Sequence, residues 1–78
     1  MGMDEKNFQI DLRGTALPRQ MESINGALIE VVNGSTITII TEQQMLATYV
    51  LPIALDRGVR CRVSPQKEVW KIELFPKG

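Results

Sequence analysis

The sequence predicts an α+β fold, a two-layer α/β sandwich in the order β-α-β-α-β-β with two helices on one face of a four-stranded mixed sheet. Two patterns and the chain's size predict it. Four short segments alternate apolar and polar residues with the two-residue period of a half-buried strand. Two longer segments repeat apolar residues every three or four positions, the period of a helix that buries one stripe. At 78 residues the chain is a single domain whose core supports marginal stability, roughly 3–5 kcal/mol. Two stripes and four strands bury their apolar sides most economically with both helices on the same sheet face. Right-handed crossovers then make the first strands parallel.

Taken in order, Met1 to Asn7 are polar and charged. They read as a flexible N-terminal tail without the apolar core of a signal peptide, leaving 8–78 as the folded domain. Phe8, Ile10 and Leu12 alternate with Gln9, Asp11 and Arg13, which makes a strand. Gly14 supplies backbone freedom for a turn. Pro18 suits the first helical position, where its missing N–H costs nothing. Met21, Ile24, Leu28 and Val31 then follow helical spacing. Asn33-Gly34 stops this helix, since both residues tolerate the left-handed backbone of a C-terminal cap.

Ser35 to Thr41 is rich in Thr and Ile, with Ile37 and Ile39 alternating with Thr36 and Thr38, a second strand. Thr41 followed by Gln44 matches a capping box, and Glu42 adds negative charge to the first turn of a second helix. That helix carries Leu46, Val50 and Ile53 inward and ends at Asp56-Arg57-Gly58. Pro52 lies inside it, so the pattern predicts a kink or a fresh helix starting near Pro52. Val59, Cys61 and Val63, then Trp70, Ile72 and Leu74, form the last two strands. Ser64-Pro65-Gln66-Lys67 reads as the hairpin turn between them, and Trp70 as a core anchor.

Composition excludes several function classes. Nine Lys and Arg balance nine Asp and Glu, so no strong field draws nucleic acid or an anionic membrane. The longest apolar run, Tyr49 to Leu55, is interrupted by Pro52 and far short of the ~20 residues that span a bilayer. One cysteine rules out an internal disulfide and fits a reducing compartment. These features predict a soluble cytoplasmic monomer. With no histidine and one cysteine, no metal site is expected. The scattered glycines form no nucleotide loop, and no serine has a base to activate it, so no cofactor is expected.

Asp11, Arg13, Gly14 and Pro18 stand in the order of a known motif: an acidic residue, one variable position, a position that is often Arg, Gly, two variable positions, then Cys-Pro-x-Pro. In this respect the chain resembles the TusA/SirA family of sulfur carriers, whose fold is the two-layer arrangement above. Gly34 fits the glycine before the family's second strand, and Leu51-Pro52 resembles the hydrophobic-proline pair of its second helix. Leu17 stands where the family has its carrier cysteine, and Gln20 replaces the second proline. In the family, a cysteine at a helix start gains thiolate or persulfide character from the positive end of the backbone dipole. Leucine has no nucleophile and no ionisable proton. As an N-cap it also costs roughly 0.5–2 kcal/mol relative to Ser or Asp.

The resemblance therefore implies a non-catalytic, protein-binding member, at most a degenerate sulfurtransferase, with a sulfur-relay or redox component as partner. Leu17 is either a degenerate site kept by descent or an apolar contact point, and both readings stay open. Four other groups of residues compete for a role. Cys61 is a buried small hydrophobe or a relocated acceptor thiol. Asp11 and Arg13 form an ordinary exposed ion pair or orient the loop before the first helix. Arg60, Arg62 and Lys71 share the open sheet face, a solvated charged face or an RNA surface; Asp11 and Glu73 beside them and the lack of interleaved aromatics weigh against nucleic acid. Tyr49, Leu51, Pro52 and Leu55 widen the second helix's apolar surface and, with Leu17, form either core or a partner-binding patch.

Overall fold

The computed structural model describes residues 7–76. Along the chain it contains β1 (Asn7–Asp11), α1 (Leu17–Val32), β2 (Thr36–Thr41), α2 (Gln44–Asp56), β3 (Arg60–Pro65) and β4 (Trp70–Phe75). The sheet order is β1-β2-β4-β3. β1 runs parallel to β2, and β4 is antiparallel to both β2 and β3. This is the expected α+β sandwich with a mixed sheet.

One face of the sheet holds the core. Ile37 and Ile39 of β2 stand opposite Leu74 and Ile72 of β4. They pack in one buried cluster with Ile24 and Leu28 of α1 and Leu46 and Val50 of α2. Both helices therefore lie on that face. The helical layer is offset: α1 packs on β2 and β4, and α2 on β3 and β4. β1 is left at the margin, so burial rises toward its end, from Phe8, 50% exposed, through half-buried Ile10 to Leu12, just past the strand, at 5%.

Several expected boundaries move, each for a local reason. Asn7 is not tail but the first residue of β1, paired with Thr36; the rest of the expected tail, 1–6, lies outside the described residues. Helix α1 begins one residue before Pro18, with Ala16 as its cap. At its far end Asn33 keeps a negative φ of −87°. Gly34 alone takes the left-handed turn, at φ 112°, because glycine meets no steric cost there.

Thr41 is not the cap of α2. It remains the last residue of β2, and Gln43 occupies the cap with no side-chain bond. The Thr41 hydroxyl instead accepts the Gln43 N–H at 3.1 Å, a local turn that competes with capping. Helix α2 is continuous from Gln44 to Asp56 through Pro52 and does not restart. Pro52 is exposed while Val50 and Ala54 beside it are fully buried, so packing carries the helix past the lost backbone bond. The hairpin turn also shifts: β3 extends through Ser64 and Pro65, which pairs with Trp70. An edge strand tolerates a proline. The Gln66 N–H closes the turn on the Val69 carbonyl at 2.8 Å. Trp70 is half-buried against the rim of the core rather than at its centre.

Candidate functional site

The loop between β1 and α1 is built by backbone bonds and then tied down by side chains. The Leu12 N–H donates to the Ile40 carbonyl at 2.8 Å, keeping the chain beside β2 past the end of the strand. The Thr15 N–H then bonds the Leu12 carbonyl at 3.1 Å. Gly14, at φ 78°, makes this turn. Ala16 is extended, at φ −62° and ψ 144°, and its carbonyl accepts the N–H groups of Arg19 and Gln20, both at 3.0 Å.

Leu17 is thus the first residue of α1, not its cap, and the capping penalty expected of it falls on Ala16. At that position it sits at the positive end of the helix. Pro18 has no N–H to offer and Arg19 has already used its own, so few donors remain there. The Leu17 side chain is half-buried and packs against the core margin.

Three tethers hold the loop. The Asp11 carboxylate accepts the Arg13 backbone N–H at 3.0 Å and the guanidinium Nε at 3.0 and 3.1 Å, and pairs with Nη2 at 2.6 Å. These bonds to Arg13 bring the Asp11 carboxyl from its ordinary 3.8 down to about 2, and Asp11 in turn raises Arg13. The Glu42 carboxylate, arriving from the β2–α2 junction, accepts the Gly14 N–H at 2.9 Å. Glu42 therefore lies ahead of α2's cap and braces the opposite loop instead of the first turn of its own helix.

The third tether is buried. Gln20 donates from Nε2 to the Thr15 carbonyl at 2.7 Å, while its Oε1 accepts the Thr41 hydroxyl at 2.7 Å. Both residues are fully buried, and each polar atom is paired. Gln20, Thr41 and Glu42 were not singled out as a group by sequence reasoning. The signal was present for two of them: Gln20 is one turn before Ile24, and Thr41 continues the Ile37–Ile39 alternation.

The other candidate residues disperse. Cys61 faces the helices, opposite Leu74, and is half-buried. Burial pushes its thiol above the usual range, which favours the protonated, less reactive form. Arg62 and Lys71 lie on the open sheet face, and both approach Glu73 at 3.9 Å. Arg60 is exposed in the same strand as Arg62. On α2, Leu51, Pro52 and Leu55 are exposed, but Tyr49 packs against the core. The five-residue patch that included Leu17 and Tyr49 is therefore split between surface and core margin. Among the described residues no cluster of three His, Cys, Asp or Glu could hold a metal ion. No helix among them is long and apolar enough to cross a membrane.

A parallel β1–β2 pair joined through α1, with β4 between β2 and β3 and both helices on one face, defines a two-layer α+β sandwich. The crystal structure of the SirA-like protein from Desulfitobacterium hafniense has this architecture, with a TM-score of 0.72 over 86% of this chain and 93% of that one, at 17% identity. The chain has a SirA-like fold, the fold that Asp11, Arg13, Gly14 and Pro18 implied. No protein-family model matches it, and no curated protein does.

Proposed function

We propose that this chain is a non-catalytic SirA/TusA-like protein that works in the cytoplasm by binding a protein component of a sulfur-relay or redox system. One observation carries the reading: Leu17 occupies the first position of α1, where the family motif has its cysteine, within a loop held by three tethers. The backbone frame of a carrier site is present and its nucleophile is absent. An aliphatic side chain at the rim of an ordered loop suits contact with a partner, because little conformational entropy is lost on docking. Cys61 is a weaker candidate for the chemistry, since its thiol lies toward the helices and burial favours its protonated form. The open sheet is a weaker nucleic-acid surface, since Arg62 and Lys71 already share Glu73.

The test is a backbone-amide titration with a cysteine desulfurase or a sulfur-transfer protein. Shifts centred on Arg13, Gly14 and Leu17 are expected, and Leu17→Asp should weaken binding by roughly tenfold or more. Incubation with desulfurase and cysteine should add no sulfur mass to the chain. A spectrum unperturbed around Leu17 overturns the proposal. A mass gain of one sulfur that disappears in Cys61→Ser assigns the activity to that thiol instead.

A further inference from the structure

The two edges of the sheet are unlike. β3 carries exposed Arg60 and Arg62 and ends in Pro65, devices that discourage another strand from pairing. β1 reads Asn-Phe-Gln-Ile-Asp, with no proline, glycine or lysine. Because the Leu12 N–H points at β2, the two-residue alternation directs Phe8 and Ile10 toward β2 as well. The N–H and C=O groups of Asn7, Gln9 and Asp11 therefore face outward from the sheet.

Among the described residues neither helix packs closely over this edge. α1 packs over β2 and β4, leaving an apolar groove of about 460 Å³ lined by Phe8, Ile10 and Ile37 from the sheet and Ser23, Gly26 and Ala27 from α1. Ser23, Gly26 and Ala27 are small, so the groove has room for a large side chain, and Glu30 of the same helix stands at its border. Phe8 itself stands half out of its mouth.

We infer that β1 pairs antiparallel with β1 of a second copy of this chain, about a two-fold axis at Gln9, making one eight-stranded sheet. In that register Gln9 meets Gln9, and Asn7 meets Asp11 of the other copy. All three outward-facing residues on each side then form hydrogen-bonded pairs, and no outward group of β1 is left over. Phe8 falls opposite Ile10 of the other copy, in the close non-hydrogen-bonded position on the helix face. There an aromatic and a β-branched side chain pack well and close both grooves. Along the strand pair no like charges are opposed, since Asp11 meets an amide and is already paired with Arg13. A strand from an unrelated protein would satisfy the backbone but has no reason to match Phe8 to Ile10 in this way. The strand has only five residues, so the interface is at the small end of specific contacts and the dimer should depend on concentration.

Sedimentation equilibrium from low micromolar to millimolar protein tests this. The weight-average mass should climb from 8.8 kDa toward twice that value, with the Gln9 and Asp11 amides gaining exchange protection in parallel. Gln9→Pro removes an outward N–H without touching the β1–β2 ladder, so it should stay monomeric at every concentration with an unchanged circular dichroism spectrum. If that variant fails to fold, Phe8→Asp at a half-exposed position gives the same reading. An isotope-filtered contact between Phe8 of one copy and Ile10 of the other should appear in the unmodified protein. A wild type that stays monomeric throughout, or dimerisation that survives both substitutions, overturns the inference.

Discussion

Gln20 and Thr41 meet in a 2.7 Å hydrogen bond, fully buried between the first turn of α1 and the last residue of β2. Through the same amide Gln20 also holds Thr15, so one side chain joins the candidate loop to the sheet. Breaking one partner leaves a buried polar group unpaired. Gln20→Leu and Thr41→Val should therefore each destabilise the fold by about 1–3 kcal/mol. The double variant should cost less than the sum, with a coupling of about 0.5–3 kcal/mol. Urea melts of the four proteins check this, and simple additivity would mean the bond is not formed in solution.

The Asp11–Arg13 pair gives a pH signature. The folded-state carboxyl titrates at about 2, below its ordinary 3.8, so its contribution is complete above the unfolded value. That contribution fades as pH falls from about 4 through about 2. Wild type and Asp11→Asn should thus differ in urea midpoint at pH 6 and converge in strong acid. Both carboxyl and guanidinium are exposed, so the difference should be small. A carboxyl resonance midpoint near the ordinary value would show the pair to be open in solution.

Leu17→Cys places a nucleophile at the start of α1. At the first position of α1 the helix dipole stabilises a thiolate, so the thiol should titrate below the free value of about 8.5. Rates of alkylation measured against pH give the midpoint directly. An ordinary value would mean that Pro18 and the used Arg19 N–H have left too little positive potential at the helix start.

Gly26 and Gly34 should respond in opposite directions to alanine. A Cβ at Gly26 meets open space, so Gly26→Ala should stabilise the helix by about 0.5–1 kcal/mol. Gly34 also has space, but its φ of 112° is strained for any side chain, and Gly34→Ala should cost roughly 1–3 kcal/mol. Thermal melts distinguish the two.

The Gly14 amide reports the Glu42 tether. Glu42→Ala should raise its hydrogen-exchange rate while leaving the Leu28 and Ile39 amides protected, since the lost acceptor is exposed and local. Equal deprotection of all three would make Glu42 a residue of global stability instead.

Periodicity alone determined the elements and their order, because the alternation of Ile37 and Ile39 and the stripe of Ile24, Leu28 and Val31 are imposed by the geometry of one strand and one helix. The motif residues Asp11, Gly14 and Pro18 likewise marked the loop and placed Leu17 at a helix start. Only the tertiary structure decided what each end of an element touches. Thr41 reads as a helix cap in isolation, yet a buried amide 21 positions away holds it in the strand. Glu42 reads as an ornament of its own helix, yet it serves Gly14 across the sheet end. Phe8 and Ile10 alternate as inward residues, but the offset of α1 toward β4 leaves them at an uncovered edge. Local pattern records which way a side chain points, whereas its partner depends on packing between segments that are distant in sequence.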